Sequence, residues 1–180
     1  MRIIAGKHKK RIILMVGKPT TRETSDRIRE SVFNMLGGQL EGTAVDLFSG
    51  SGAYALEAIS RGLSHVTCVD HDYDAYQTIK ENAKRIGELD NVTAIFTDYK
   101  AYLKSLSMDV TFDYIFIDPP YEMHIYDDLL DQLEHHLNSN GIIIIESEKK
   151  VILKDRTQHL KKTKEKTYGF KKITMYEKGA

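Results

Sequence analysis

The sequence predicts an α/β fold: a seven-stranded, mostly parallel sheet with helices on both faces, plus a small N-terminal hairpin and helix. Three observations predict it. Strand-like and helix-like stretches alternate through the centre of the 180 residues. Two of the strand-like stretches, 112–117 and 141–145, are almost wholly apolar, as strands buried on both faces of a parallel sheet must be. Between a third apolar run and the helix after it lies a glycine-rich turn, Ser49-Gly50-Ser51-Gly52, at the kind of junction where open α/β sheets bind ligands.

Each element follows from its own pattern. Residues 2–4 and 11–14 pair as a hairpin, and 24–36 form a helix with Thr24 or Ser25 as cap. Residues 44–48 are the first core strand. The helix 53–61 ends at Gly62, where a glycine can close a helix. Residues 65–70 are the second strand, 73–86 a helix stopping near Gly87, and 91–97 the third strand. The strand 112–117 is followed by a helix over 124–137 and the strand 141–145. Two last strands, 161–168 and 172–178, turn around Gly169. No internal repeat or linker interrupts this order.

The length suits a single domain over 1–180, with an extension over 1–38 and a core over 39–180. The one cysteine, Cys68, excludes an internal disulfide framework and reads as a small core residue. No apolar stretch is long enough for a signal peptide or a membrane span, so a cytoplasmic protein with no membrane partner is expected. The formal net charge is zero. Yet residues 1–31 carry nine Lys/Arg against three Asp/Glu, and residues 149–180 carry eleven against three. An acidic centre between basic ends points to a polyanion held by the ends, with Lys7, Lys9, Lys10, Arg11, Arg22 and Arg27 as candidate contacts. The blander reading is a set of solvated surface lysines.

The turn after the first core strand carries the first chemistry. Its glycines let a ligand approach the backbone, and the helix that follows offers unpaired N–H groups. Gly50-Ser51-Gly52-Ala53-Tyr54-Ala55 fits the loose pattern of a dinucleotide loop. Asp70 stands at the end of the next strand, where a carboxylate can accept ribose hydroxyls. Together they indicate an adenosine-type cofactor, without separating a nicotinamide dinucleotide from S-adenosylmethionine. Asp46 tips the balance: a carboxylate inside the strand, facing the crevice, suits the amino group of a methionine moiety. Asp98-Tyr99, after the third strand, supplies either an acceptor for the adenine amine or a plain helix cap.

Asp118-Pro119-Pro120-Tyr121 follows the apolar fourth strand directly. Two prolines cannot continue a central strand, so they make a rigid corner at the sheet's ligand edge. An exocyclic amine on a base is a poor nucleophile because its lone pair is delocalised into the ring. Asp118 and the Pro119 carbonyl can each accept a hydrogen bond from such an amine and turn its lone pair toward an electrophilic methyl. Tyr121 can stack on the base. The seven histidines show no ligand spacing, and no metal is expected.

These residues resemble the Rossmann-fold methyltransferases that modify amino groups. A closer resemblance comes from Met1-Arg2-Ile3-Ile4-Ala5-Gly6, Thr21-Arg22, Thr24-Ser25-Asp26-Arg27-Ile28-Arg29-Glu30, Phe33-Asn34, the Asp46–Ala53 turn, Glu57-Ala58, Ser60-Arg61-Gly62, Asp118–Tyr121, Glu146 and Tyr168-Gly169. Over essentially the whole chain these are similar to the RsmD family, bacterial guanine-N2 methyltransferases of 16S rRNA. The resemblance implies a Rossmann-like methyltransferase fold with S-adenosylmethionine as cofactor. It implies 16S rRNA in an assembling small ribosomal subunit as partner. It gives the amine site to Asp118, Pro119, Pro120 and Tyr121. It gives the cofactor to the turn (Asp46, Phe48, Ser49, Gly50, Ser51, Gly52), with Asp70-His71 and Asp98-Tyr99 completing that site. It places the segment from Thr24 to Arg29 near the active-site mouth, so that Thr24, Ser25 and Arg27 join the basic residues above as candidate RNA contacts. Glu23 stands where the family usually has proline, and Asp70 where glutamate is more usual.

Three other readings compete. A DNA adenine-N6 methyltransferase shares the Asp-Pro-Pro-Tyr logic, but this chain has no room for a separate target-recognition region. A nicotinamide-dependent oxidoreductase needs a second mononucleotide half, which is not found. A non-catalytic RNA-binding module would not need Asp46, Gly50, Gly52 and Asp118 intact.

Overall fold

The computed structural model describes residues 1–17, 25–120 and 125–179. Seven strands form one sheet: β1 (Thr43–Leu47), β2 (His65–Asp70), β3 (Val92–Phe96), β4 (Phe112–Ile117), β5 (Leu137–Glu148), β6 (Leu160–Tyr168) and β7 (Lys171–Lys178). Their spatial order is β3-β2-β1-β4-β5-β7-β6. The first five run parallel, and β7 pairs antiparallel with both β5 and β6. The chain winds outward from β1 to β3, then restarts at β4 on the other side of β1. That reversal opens a crevice beyond the C-terminal ends of β1 and β4, where ligands bind in such sheets.

Alternate strand residues feed two cores. On one face Ala44, Phe116, Ile144 and Met175 pack beneath α1 (Asp26–Met35), α2 (Ala53–Ser60) and α3 (Tyr73–Ile86), with Ile3 and Ile13 of the extension. On the other, Val45, Leu47, Ile115, Ile117 and Ile143 pack beneath α4 (Tyr99–Ser105) and α5 (Tyr126–Leu133). Cys68 is a buried core residue on the first face. No helix among the described residues is long and apolar enough to cross a membrane.

The helix ends follow their local chemistry. The Ser25 hydroxyl accepts from the Ile28 N–H at 3.3 Å and caps α1. Asp72 caps α3, and Gly87 closes it in the left-handed conformation that glycine tolerates. Three elements differ from the sequence pattern. The helix α4 is absent from that pattern because seven residues with only Tyr102 and Leu103 buried carry too little periodicity. The helix expected over 124–137 is shorter: α5 ends at Leu133, a tight 3₁₀ turn follows over Glu134–His136, and β5 starts at Leu137 rather than at 141. The register between β4 and β5 shifts there, and this bulge absorbs the polar residues before the apolar run. The N-terminal hairpin reduces to a single bridge, Arg2 with Ile12, plus flanking backbone bonds.

The extension is clamped to α2 through Glu57, a fully buried carboxylate. Its oxygens accept the N–H of Ile4 at 2.8 Å and of Ala5 at 3.1 Å. The same carboxylate pairs with Arg61 at 2.8 Å and with the buried Arg29 of α1 at 3.7 Å. Gly6 then passes so close to the end of α2 that a β-carbon there would lie 1.8 Å from the Ser60 carbonyl oxygen.

Candidate active site

The turn after β1 is built to receive a ligand. Phe48, Gly50 and Gly52 all have positive φ, at 62°, 55° and 81°. The Gly52 N–H donates to the Ser49 carbonyl at 2.8 Å, and the Ser49 N–H donates to Val69 of β2 at 3.0 Å. A β-carbon added at Gly50 would meet nothing within 4 Å, so the space beside it is open. Ser51 is buried on the underside, where its carbonyl takes a hydrogen bond from Asn82 of α3. Asp70 braces the turn: one carboxylate oxygen accepts the Gly50 N–H at 2.8 Å, the other the Asp72 N–H at 2.9 Å. A carboxylate has about four lone-pair sites, so each oxygen retains capacity for a ribose hydroxyl.

Beside the turn lies a cavity of about 270 Å³ lined by Phe48, Val69, Asp70, His71, Thr97, Asp98, Tyr99 and Pro120. The rings of Phe48 and Tyr99 stand 5.0 Å apart at its wall. Two aromatic rings and two carboxylates around open space fit a nucleoside. Asp98 also caps α4 through the Ala101 N–H at 3.0 Å, so both of its expected roles are compatible with its position. The sequence did not single out Val69 and Thr97; Val69 immediately precedes Asp70 at the end of β2 and Thr97 immediately precedes Asp98, the cap of α4, and that position was the available signal. His71 is mostly exposed, its ring 3.7 Å from Asp70.

The other half of the site is polar and more buried. Asp46 and Glu146 lie near the C-terminal ends of β1 and β5, and Asp118 directly follows β4 between them, all three on the same sheet face. Asp46 accepts from the Ser49 hydroxyl at 2.8 Å. The phenol of Tyr54, on α2, donates to Glu146 at 3.0 Å, and Lys171 donates to the other oxygen of Glu146. Burial, and then the charges of Glu146, Asp118 and Asp46, hold the Tyr54 phenol well above its usual range, so it is a neutral donor. Its ring stacks on Phe116 at 5.3 Å, and Phe33 of α1 packs against both. Asp118 is half-buried, Pro119 buried and Pro120 exposed at the cavity. Tyr54 and Lys171 were not foreseen. A polar ring inside an apolar helix start and an acid closing a wholly apolar strand were the readable signs.

The basic candidates divide. Arg22, Thr24 and Tyr121 lie outside the described residues, as does Glu23. Ser25 and Arg27 are exposed at the start of α1. Lys9, Lys10 and Arg11 are exposed on the loop beside the C-terminal ends of α2 and α3, with the Arg11 guanidinium 3.3 Å from the Arg85 carbonyl. Lys7 pairs with Glu88 at 2.6 Å. With α2 eight residues long, that loop stands about 12 Å from the glycine turn along the helix. These four residues therefore flank the far edge of the sheet rather than the crevice. On the opposite side of the molecule, Glu134, His135 and His159 have ligand atoms within 4.8 Å of one another, a grouping that the spacing of the histidines did not disclose. The Glu134 carboxylate there accepts from the Thr157 hydroxyl and the His159 N–H, tying α5 to the start of β6.

Comparison with known proteins gives one consistent picture. The family described as "Conserved hypothetical protein 95" matches residues 1–177. The Bacillus subtilis protein YlbH is 35% identical over 99% of each chain. The Ribosomal RNA small subunit methyltransferase D of Buchnera aphidicola is 34% identical, over 89% of this chain and 86% of its own. The solved structure of Escherichia coli YhhF is 26% identical and superposes with a TM-score of 0.85, over 100% of this chain and 98% of its own.

Proposed function

The chain belongs to the RsmD family of S-adenosylmethionine-dependent methyltransferases, and from that premise we propose that it methylates the exocyclic N2 amine of a guanine in 16S rRNA of the small ribosomal subunit. The observation that carries the reading is the place of Asp118: at the β1/β4 reversal, with the nucleoside-shaped cavity reaching Pro120 of the same corner. The small-subunit rRNA methyltransferases among the relatives support the substrate class.

The cofactor would be held by the glycine turn, by Asp46 toward its amino group, and by Asp70, Asp98, Phe48 and Tyr99 around its nucleoside; it supplies a methyl group made electrophilic by a sulfonium. The chain's own residues do the rest. Asp118 accepts one N–H of the guanine amine, and the Pro119 carbonyl is offered to the other. The lone pair is thereby aimed along the line of transfer. The carboxylate also stabilises the positive charge that develops on nitrogen before its proton leaves. Tyr121 is assigned to stack on the base. Tyr54, neutral and bonded to Glu146, keeps a third carboxylate from crowding Asp118 with an unpaired charge. Lys7, Lys9, Lys10, Arg11, Arg22, Thr24, Ser25 and Arg27 are assigned to the RNA. The first four then touch it away from the reacting base, and they act on binding rather than on rate.

The test is product analysis. Small-subunit particles and deproteinised 16S rRNA from a strain lacking the enzyme are incubated with methyl-labelled cofactor, beside duplex DNA. The label is expected in N2-methylguanosine of 16S rRNA. Label in N6-methyladenine of DNA, or in no nucleoside, overturns the reading.

A further inference from the structure

The lysines of the β6–β7 hairpin are treated differently on the two faces of the sheet. On the α5 face, Lys162 pairs with Asp155 at 2.9 Å and Glu165 at 3.4 Å, and Lys172 with Glu165 at 3.5 Å. Their positive charges are balanced by acids of the fold. On the α1 face, the register sets Lys164 opposite Met175 and Lys166 opposite Ile173, both of which point into the core beneath α1. Both lysines are exposed on an edge strand. Neither has an acid partner among the described residues. The Lys164 ammonium donates to the Met35 carbonyl at 2.9 Å, and the Lys166 ammonium sits 5.3 Å from the Tyr168 ring centroid.

The same strand end is fastened to α1. Tyr168 bonds to Ser31, and Lys164 reaches Met35, four residues further along the helix. Residues 27, 31 and 35 share a helix face, so the exposed Arg27 continues this line by one turn. Tyr168 pairs with Lys171, the residue that holds Glu146. Hence the row from Lys164 through Lys166 to Arg27 climbs toward the ligand edge on the face that carries Asp118. The offset from β4 to β6 is three strand spacings, about 14 Å.

Resting on the reading of the chain as an rRNA-modifying enzyme, we propose that Lys164 and Lys166, in line with Arg27, bind the phosphate backbone of the rRNA beside the target guanine. This joins the two basic ends of the sequence into one surface, and it places C-terminal charges nearer to the reacting base than Lys9, Lys10 and Arg11. Two uncompensated cations on an exposed strand beside an active site match a row of phosphates, whose neutralisation releases counterions.

The experiment measures binding to deproteinised 16S rRNA and to precursor particles between about 50 and 200 mM salt. It compares the wild type with K166Q, K164Q/K166Q and, as an equal loss of charge elsewhere, K80Q/K104Q. Calorimetry with S-adenosylhomocysteine reports on the fold and the cofactor site. The slope of log affinity against log salt should flatten by about 0.7–0.9 for K166Q and about twice that for the double variant. The K80Q/K104Q slope and all cofactor affinities should stay unchanged. K166Q removes no hydrogen bond to α1, so it tests the idea even where the double variant folds poorly. A K166Q slope equal to wild type overturns the proposal, as does loss of binding to particles without loss on deproteinised rRNA, which would assign the row to a ribosomal protein. Self-association with unchanged RNA binding overturns it too, by making these lysines edge-strand protection. A wild type with no salt-dependent rRNA affinity would instead remove the proposed function itself.

Discussion

In the cofactor crevice, carboxylates brace backbone that is close in sequence. Asp70 holds Gly50 from 20 residues away and Asp72 from two, and Asp98 caps its own helix three residues on. In the N-terminal extension the span is far longer. Glu57 holds Ile4 and Ala5 across 53 and 52 residues, Asn82 holds Leu14 across 68, and Glu88 holds His8 across 80. The crevice gathers turns that each carry their own short-range brace. The extension has no core of its own and exists only as a layer on α2 and α3. Losing one carboxylate should therefore cost ligand affinity in the first region and folding stability in the second.

The largest effect should come from Glu57→Ala. It strands two buried arginines and two backbone N–H groups around an empty space. Removing one member of a buried ion cluster costs about 3–5 kcal/mol, read as a lower midpoint in urea. A midpoint within error of wild type would break the contrast, because the extension would then be dispensable to the fold. Asp70→Ala should act the other way round. Losing charge-assisted hydrogen bonds to the ribose, and the brace on Gly50, should weaken cofactor affinity by about 1.5–3 kcal/mol. The urea midpoint should move much less than in Glu57→Ala. Equal affinity by calorimetry would take Asp70 out of the site.

A smaller effect should sharpen how the extension is held. Burial alone would raise the Glu88 pKa, but hydrogen bonds from Lys7, Asn91 and His8 outweigh it and bring the carboxyl to about 2, from an ordinary 4.5. A carboxyl depressed in the folded state contributes stability that is complete above the unfolded value and is lost as pH falls through the folded one. The contribution of Glu88 should thus decline between about pH 4.5 and pH 2. Glu88→Gln should flatten that part of the stability profile and leave the profile above pH 6 parallel to wild type. An unaltered acid limb would mean that the Lys7–Glu88 pair does not hold the loop.

The same contrast explains what could be read from the chain. The boundaries of β2, α3 and β4 match their periodicity because each is set by local apolar spacing and a local cap or glycine. The turn from Asp46 to Gly52 and the corner at Asp118 were readable for that reason, as were Asp70 and Asp98. Glu57 could be matched to a family pattern but not assigned a task, because the backbone it clamps, at Ile4 and Ala5, is more than 50 residues away. Tyr54 and Lys171 carried only indirect signs for the same reason: the fold alone brings Tyr54 to Glu146 across 92 residues, and the sheet order sets β7 beside β5, and with it Lys171 to Glu146. The α4 helix and the early start of β5 escaped because tertiary contacts, not periodicity, define them. The placement of Lys9, Lys10 and Arg11 on the far edge also follows from the clamp at Glu57 and Ser60 rather than from charge.

The central claim is that Asp118 orients the target amine while the cofactor is held elsewhere. Single-turnover methyl transfer to small-subunit particles from a strain lacking the enzyme tests it directly, with Asp118→Ala and Asp118→Asn measured beside wild type at saturating cofactor. Asp118→Ala should nearly abolish transfer, Asp118→Asn should keep a partial rate through its carbonyl acceptor, and S-adenosylmethionine affinity should be unchanged in both. Transfer by Asp118→Ala at the wild-type rate would contradict the account.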